Sequence, residues 1–209
     1  MKFDELLDRL QEFDLLLDVD SKLPSVTGFV AGDNVRGSWW AHPQSHEMFN
    51  LACQLHDHPD VLLVKLISGK VTLVHRPLWP AVFAVATARE PWQLAELSKE
   101  AKSLLKKVDK ETQVSFSGDP VRELEARLLV HSESVHTESG SHTKELQTWK
   151  SWALQVNLGN VKLSSSEAKA QLEAVVARLN KQFNATGTLP WKRRGAGNPA
   201  CSRLSGGAG

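Results

Sequence analysis

Two apolar runs, Val61-Leu62-Leu63-Val64-Lys65-Leu66-Ile67 and Val71-Thr72-Leu73-Val74-His75, are separated only by Ser68-Gly69-Lys70. Short β-rich runs across a Gly-containing turn read as an antiparallel hairpin. Most of the remaining chain has the apolar spacing of helices, so hairpin and helices must share a core. The expected class is therefore α+β, with small antiparallel hairpins packed with helices.

Phe3, Leu6, Leu7, Leu10, Phe13 and Leu17 recur at helical spacing and predict an amphipathic helix over 2–17, a helical extension within 1–19. Pro24, Gly28, Gly32 and Gly37 make 20–38 loop-rich, with room for one short strand at Phe29-Val30. Pro43 suits a first helical turn, and Met48, Leu51, Ala52 and Leu55 carry that helix to His56. Pro77 opens an apolar helix to about Arg89, punctuated by Pro91, and Ser98 caps a second with Ala101, Leu104, Leu105 and Val108 on one face. Val114 and Phe116 alternate with polar residues as in an edge strand. Helix, break, basic helix and short strand together give a winged-helix-like part at about 77–118.

Asp119-Pro120 starts a helix that runs through Leu124 to a strand at Leu128 to Thr137, and Ser141 is placed to cap a helix bearing Leu146, Trp149, Ala153 and Val156. Ser164 and Glu167 form a capping box, with Ala168, Leu172, Val175, Val176, Leu179 and Phe183 in register behind it. These elements define a single domain over 20–194. Residues 195–209 are too poor in apolar side chains to fold and read as a disordered tail.

Charge removes several classes. The 209 residues carry 25 Lys+Arg against 24 Asp+Glu, a net of +1, which excludes a strongly basic nucleic-acid coat and an acidic disordered protein. Apolar stretches fall short of the ~18 residues a membrane helix needs. No membrane partner is expected, and the acidic start Met1-Lys2-Phe3-Asp4-Glu5 is no signal peptide. Cys53 and Cys201 lie outside any Cys-x-x-Cys spacing and fit free thiols in a reducing, cytoplasmic setting.

Several strings carry a resemblance: Arg36-Gly37-Ser38-Trp39-Trp40-Ala41-His42-Pro43, His58-Pro59-Asp60-Val61, Gly69-Lys70-Val71-Thr72, His75-Arg76-Pro77-Leu78-Trp79, Leu128-Leu129-Val130-His131 and Val135 through His142. Over roughly residues 36–153 the chain resembles an uncharacterised bacterial protein family. That resemblance implies no established activity and carries over no catalytic assignment.

Candidate functions follow from charge and from histidine. Lys99, Lys102, Lys106, Lys107 and Lys110 stand against Glu100 and Asp109, a local net of +3, so the leading expectation is a nucleic-acid-binding accessory or regulatory protein. Neutralising three phosphates would give a salt slope of about −2.7, which is weak binding on its own. The competing reading of the same face is a solvated helix surface.

The alternative is a small enzyme or ligand-binding protein with a Trp/His/Glu pocket. Period two puts His136 with Glu138 on one strand face and His131 with Glu133 on the other, the geometry in which a carboxylate orients an imidazole. His136, Glu138 and His142 are the catalytic candidates, and Trp39, Trp40 and His42 the candidate pocket wall. Such pairs also occur as surface networks, and paired Trp more often closes over a core.

His46-Glu47-Met48-Phe49-Asn50 has Asn where a zinc-helix motif needs its second His, so no metal is assigned. Gly195 to Ala200 fits a dinucleotide turn in letters but contains Pro199 and opens no helix, so no cofactor is implied. A third reading is an interaction module without catalysis, binding itself or another protein through the apolar faces of the terminal helices.

Overall fold

The computed structural model describes residues 2–32, 35, 38–136 and 142–192, excepting the side chains of His136 and His142. The chain is α+β: nine α-helices and two three-stranded antiparallel sheets among the described residues. The elements are α1 (Phe3–Phe13), β1 (Leu15–Leu17), α2 (Val26–Ala31), α3 (Ser45–His56), β2 (Val61–Lys65), β3 (Val71–His75), α4 (Trp79–Thr87) and α5 (Pro91–Leu94). They continue with α6 (Lys99–Lys110), β4 (Val114–Phe116), α7 (Asp119–Ala126), β5 (His131–His136), β6 (His142–Gln147), α8 (Trp149–Gln155) and α9 (Ser165–Gln182). The sheet orders are β1-β3-β2 and β4-β6-β5, which leaves β1, β2, β4 and β5 as edges. No described helix is long and apolar enough to cross a membrane.

The hairpin forms as its sequence requires, with Val61 opposite His75 and Lys65 opposite Val71. The first helix is shorter than its periodicity predicts. Asp14 turns left-handed at φ 65°, and Arg178 of α9 locks that turn by donating to Asp14 Oδ2 at 2.7 Å and to Phe13 O at 3.0 Å. Leu15, Leu16 and Leu17 then pair with β3, all at 0% exposure. Burial on both faces of a strand outweighs the helical spacing that Leu17 completes. Phe29-Val30 is likewise helical rather than a strand, because Ser25 Oγ caps α2 by accepting from Gly28 N at 3.1 Å.

Leu146 is not in a helix either. It pairs with Val114 and Ser132 in β6, and α8 starts at Trp149 under a Thr148 cap; Ser141 lies outside the described residues. The caps at Ser98 and Ser164 form as expected, each side chain accepting a backbone N–H at the helix start.

Two hydrophobic cores result. The main one joins sheet β1-β3-β2 to α1, α2, α3, α4, α8 and α9, and the smaller one packs α6 and α7 on β4 and β6. The segment 77–118 is thereby divided: α4 lies in the main core and α6 in the smaller one. Buried Gln93 spans the two by donating to Ala86 O at 3.3 Å and Arg127 O at 3.1 Å. Residues 193–209, which include the expected tail, lie outside the described residues.

Past α9 the chain turns back onto the hairpin. Asn180 brackets Gly187 with hydrogen bonds to its N and O at 2.7 and 2.9 Å, and Ser68 N donates to Thr188 O at 2.7 Å. A Cβ on Gly187 would stand 2.8 Å from Leu23 and 2.9 Å from Ile67, both core residues. Gly187→Ala is therefore expected to cost ~1–3 kcal/mol through overpacking, read as a lower urea midpoint with an unchanged m-value.

Candidate functional site

A cleft of about 800 Å³ lies where the two cores meet. It is lined by β2, by Val130–Ser134, by Trp79, Trp149 and Trp152, and by His56, Asp57 and His58 at the end of α3.

Glu125 stands at the centre of this junction. It follows Val121 and Leu124 on the buried face of α7 and is 7% exposed. Lys65 Nζ reaches it at 2.5 Å from β2, Lys144 Nζ at 3.3 Å from β6, and Ser132 Oγ donates at 2.5 Å from β5. Burial pushes the carboxyl upward. Hydrogen bonds from Lys65 and Ser132 and the charge of Lys144 outweigh that push, so Glu125 titrates below the usual range.

His131 heads β5 and is 5% exposed. Its ring stacks on Trp152 at 5.5 Å and 26° and meets Trp149 edge-on at 5.6 Å and 74°. Burial, aided by the Lys144 charge, lowers its pKa to about 4, so it is neutral near pH 7. Gln147 Nε2 lies 3.4 Å from His131 Nδ1 and donates to Gln155 Oε1 at 2.8 Å. With both amide hydrogens so used, the network assigns Nδ1 as acceptor and puts the imidazole proton on Nε2. Nε2 has no hydrogen-bond partner among the described residues and is not among their sealed side-chain atoms, and His131 is one of the residues that line the cleft.

Beside α3, His56 Nε2 lies 2.8 Å from Asp18 Oδ1. Cys53 shares that corner, but burial and the charges of Asp57 and Asp18 push its thiol up, which argues against a nucleophilic thiolate. No group of metal-ligating side chains converges among the described residues.

The residues singled out by sequence fall elsewhere. Lys99, Lys102, Lys106, Lys107 and Lys110 are all exposed on α6, opposite buried Ala101, Leu104, Leu105 and Val108. Trp39 and Trp40 stack at 4.0 Å, and Trp40, 61% exposed, also meets Phe49 at 5.7 Å. His42 Nδ1 accepts from Gln44 N at 3.2 Å at the entrance to α3. None of these three lines the cleft. His136 and His142 pair in the β5-β6 ladder, but their side chains and all of Glu138 lie outside what is described.

Of the two His/Glu pairs read from period two, His131 with Glu133 is the one on the cleft, Glu133 Oε1 lying 3.9 Å from Nδ1. Sequence reasoning did not single out Lys65 or Glu125; the signal that could have found them is an ionisable residue inside an apolar pattern. Gln147, Trp149 and Trp152 carried no such signal. No family model matches this sequence, and no curated protein or solved structure is significantly similar to it.

A pH dependence follows. Between about 4 and 6.5 the unfolded His131 takes a proton that the folded one refuses. Its contribution is fully present above pH 6.5 and is lost as pH falls toward 4, by roughly 3 kcal/mol from linkage. Glu125, shifted down from 4.5, adds its own loss only below that value. Urea unfolding across this range should show the slope in the native chain and a flatter profile in His131→Phe.

Proposed function

We propose that this is a ligand-binding protein whose inter-core cleft receives a polar ligand through the Nε2–H of His131. The carrying observation is a buried imidazole, held neutral and with its Nδ1 engaged, in a residue that lines an open cleft and whose remaining N–H has no partner among the described residues. A buried polar group left without a protein partner costs ~1–3 kcal/mol unless water or a ligand meets it. In this reading Glu125, Lys65 and Lys144 are positioning residues, since their charges satisfy one another and fix β2, α7 and β6 around the opening.

A library of small amides, carboxylates and amines, followed by NMR on histidine- and tryptophan-labelled protein, tests it. Binders are expected to shift the His131 ring and the Trp149 and Trp152 indoles, and to lose ~tenfold or more affinity in His131→Phe, the size of one neutral hydrogen bond. Binders that map only to α6 or to the Trp40 face would count against the cleft.

A second reading has its own support. The five exposed lysines of α6 sit in a helix-strand-helix-hairpin unit whose sheet runs β4-β6-β5. Nucleic acid would then be held through phosphates rather than base edges. Lys99→Glu with Lys102→Glu and Lys106→Glu should abolish duplex DNA binding at low salt, and unchanged binding removes α6 as the contact.

A further inference from the structure

Two edge strands, β2 and β5, line the cleft. The bonding phase of β2 follows from its neighbours. Asp18 N donates to Val71 O at 3.2 Å and His75 N to Asp14 O at 3.0 Å, so Val71, Leu73 and His75 turn their peptide groups toward β1. Alternation leaves Thr72 and Val74, opposite Val64 and Leu62, to bond β2. Arg76 N donating to Asp60 O at 3.0 Å keeps the same phase. Leu63 and Lys65 therefore direct their N–H and C=O groups off the edge.

The cleft follows that edge. Every residue of β2 lines it, Val61 to Lys65, and a groove over a single face would touch only alternate residues. Val130 to Ser134 do the same across the gap. A strand edge of this kind is a template for another extended chain. Edges are usually blunted by charge or proline, but Val61-Leu62-Leu63-Val64 is apolar until Lys65.

Charge selects the occupant. Asp18, Asp57, Glu125 and Glu133 line the cleft against Lys65 and Lys144, four carboxylates to two lysines and a formal −2 with the imidazoles neutral. Both lysines are engaged by Glu125, which leaves the exposed, cleft-lining Asp57 and Glu133 outside that network. That balance disfavours a nucleic-acid backbone here and suits a cationic chain.

We infer that the cleft takes an extended, basic polypeptide segment that adds to the edge of β2. The peptide groups of Leu63 and Lys65 pair with the segment, and His131 Nε2–H donates to one of its backbone carbonyls. This rests on the ligand-binding reading above and names the ligand class. β-Strand addition draws affinity from main-chain hydrogen bonds and selectivity from the side chains and charges around the edge.

The test uses the full chain and three fluorescent heptapeptides: one alternating Lys and Val, the same with Glu for Lys, and the Lys/Val peptide N-methylated at every residue. Anisotropy at low salt should show the Lys/Val peptide binding ~tenfold or more tightly than either other. Hydrogen exchange should show new protection at the amides of Leu63 and Lys65 on addition of that peptide, while Leu62 and Val64 stay as protected as before. Asp57→Asn with Glu133→Gln, both outside the core, should weaken the same peptide.

Equal binding of the N-methylated peptide would reduce the effect to charge attraction and overturn strand addition, and equal binding of the Glu peptide would overturn the basic occupant. Protection of Leu63 and Lys65 that rises with protein concentration alone would make the occupant a second copy and also overturn it. If small polar fragments still shift His131 while no heptapeptide binds, this inference fails and the ligand-binding reading stands. If neither binds, both fail.

Discussion

The carboxylate of Glu125 ties together strands of both sheets. Lys65 belongs to the sheet of the main core, whereas Lys144 and Ser132 belong to the sheet of the smaller one. Taking a carboxylate out of water is expensive, and only close, complementary partners repay it. Here both ammonium groups come from strands facing the same gap, so the three charges are satisfied only while the cores keep their spacing. A replacement by apolar residues of similar volume could be equally stable in principle, yet it would not fix how far apart β2 and β5 stand. Removing one partner alone would strand the others, a change that in buried pairs costs ~3–5 kcal/mol. The cleft is thus kept open by an interaction whose net contribution to stability can be small.

The same enclosure decides the state of His131. Its ring lies against Trp149 and Trp152, and the nearest cation is Lys144. Low dielectric and a positive neighbour act in one direction, against protonation. Glu133 acts the other way but is 64% exposed at its side chain, so water screens it. The result is a ring that works as a hydrogen-bond donor near neutral pH rather than as a charge. Such a group suits recognition of a carbonyl better than attraction of an anion, which agrees with the acidic balance of the surrounding wall.

Much of the fold was legible because its signals are local. The hairpin, the caps at Ser98 and Ser164 and the lysine face of α6 each depend on a few neighbouring residues, and each is found where the spacing puts it. Leu15–Leu17 was misread for a physical reason: a strand buried on both faces has no alternation, and three leucines after an amphipathic helix continue its period. Leu146 failed similarly, since its helical spacing to Trp149 and Ala153 hides a turn at Thr148. Of the cleft, His131 and Glu133 were visible as a period-two pair, whereas Lys65, an ionisable break in an apolar run, was not singled out. What brings them to Glu125 is tertiary packing between residues 60 positions apart, which no local pattern encodes.

The distribution of edges gives the arrangement its logic. Each sheet has two edge strands, and β1, though fully buried, is only three residues long. β4 is equally short, with Ser115 and Phe116 exposed. The longer edges, β2 and β5, both contribute residues to the one cleft. Burying edges inward restrains open-ended pairing between molecules, as closure or a covering helix does elsewhere. Here no described segment pairs with the outer edge of either strand, and apolar and polar side chains together line the cleft. An inward edge that is left unpaired protects against aggregation and at the same time preserves its hydrogen-bonding capacity, which is the property that a selective strand-binding cleft requires.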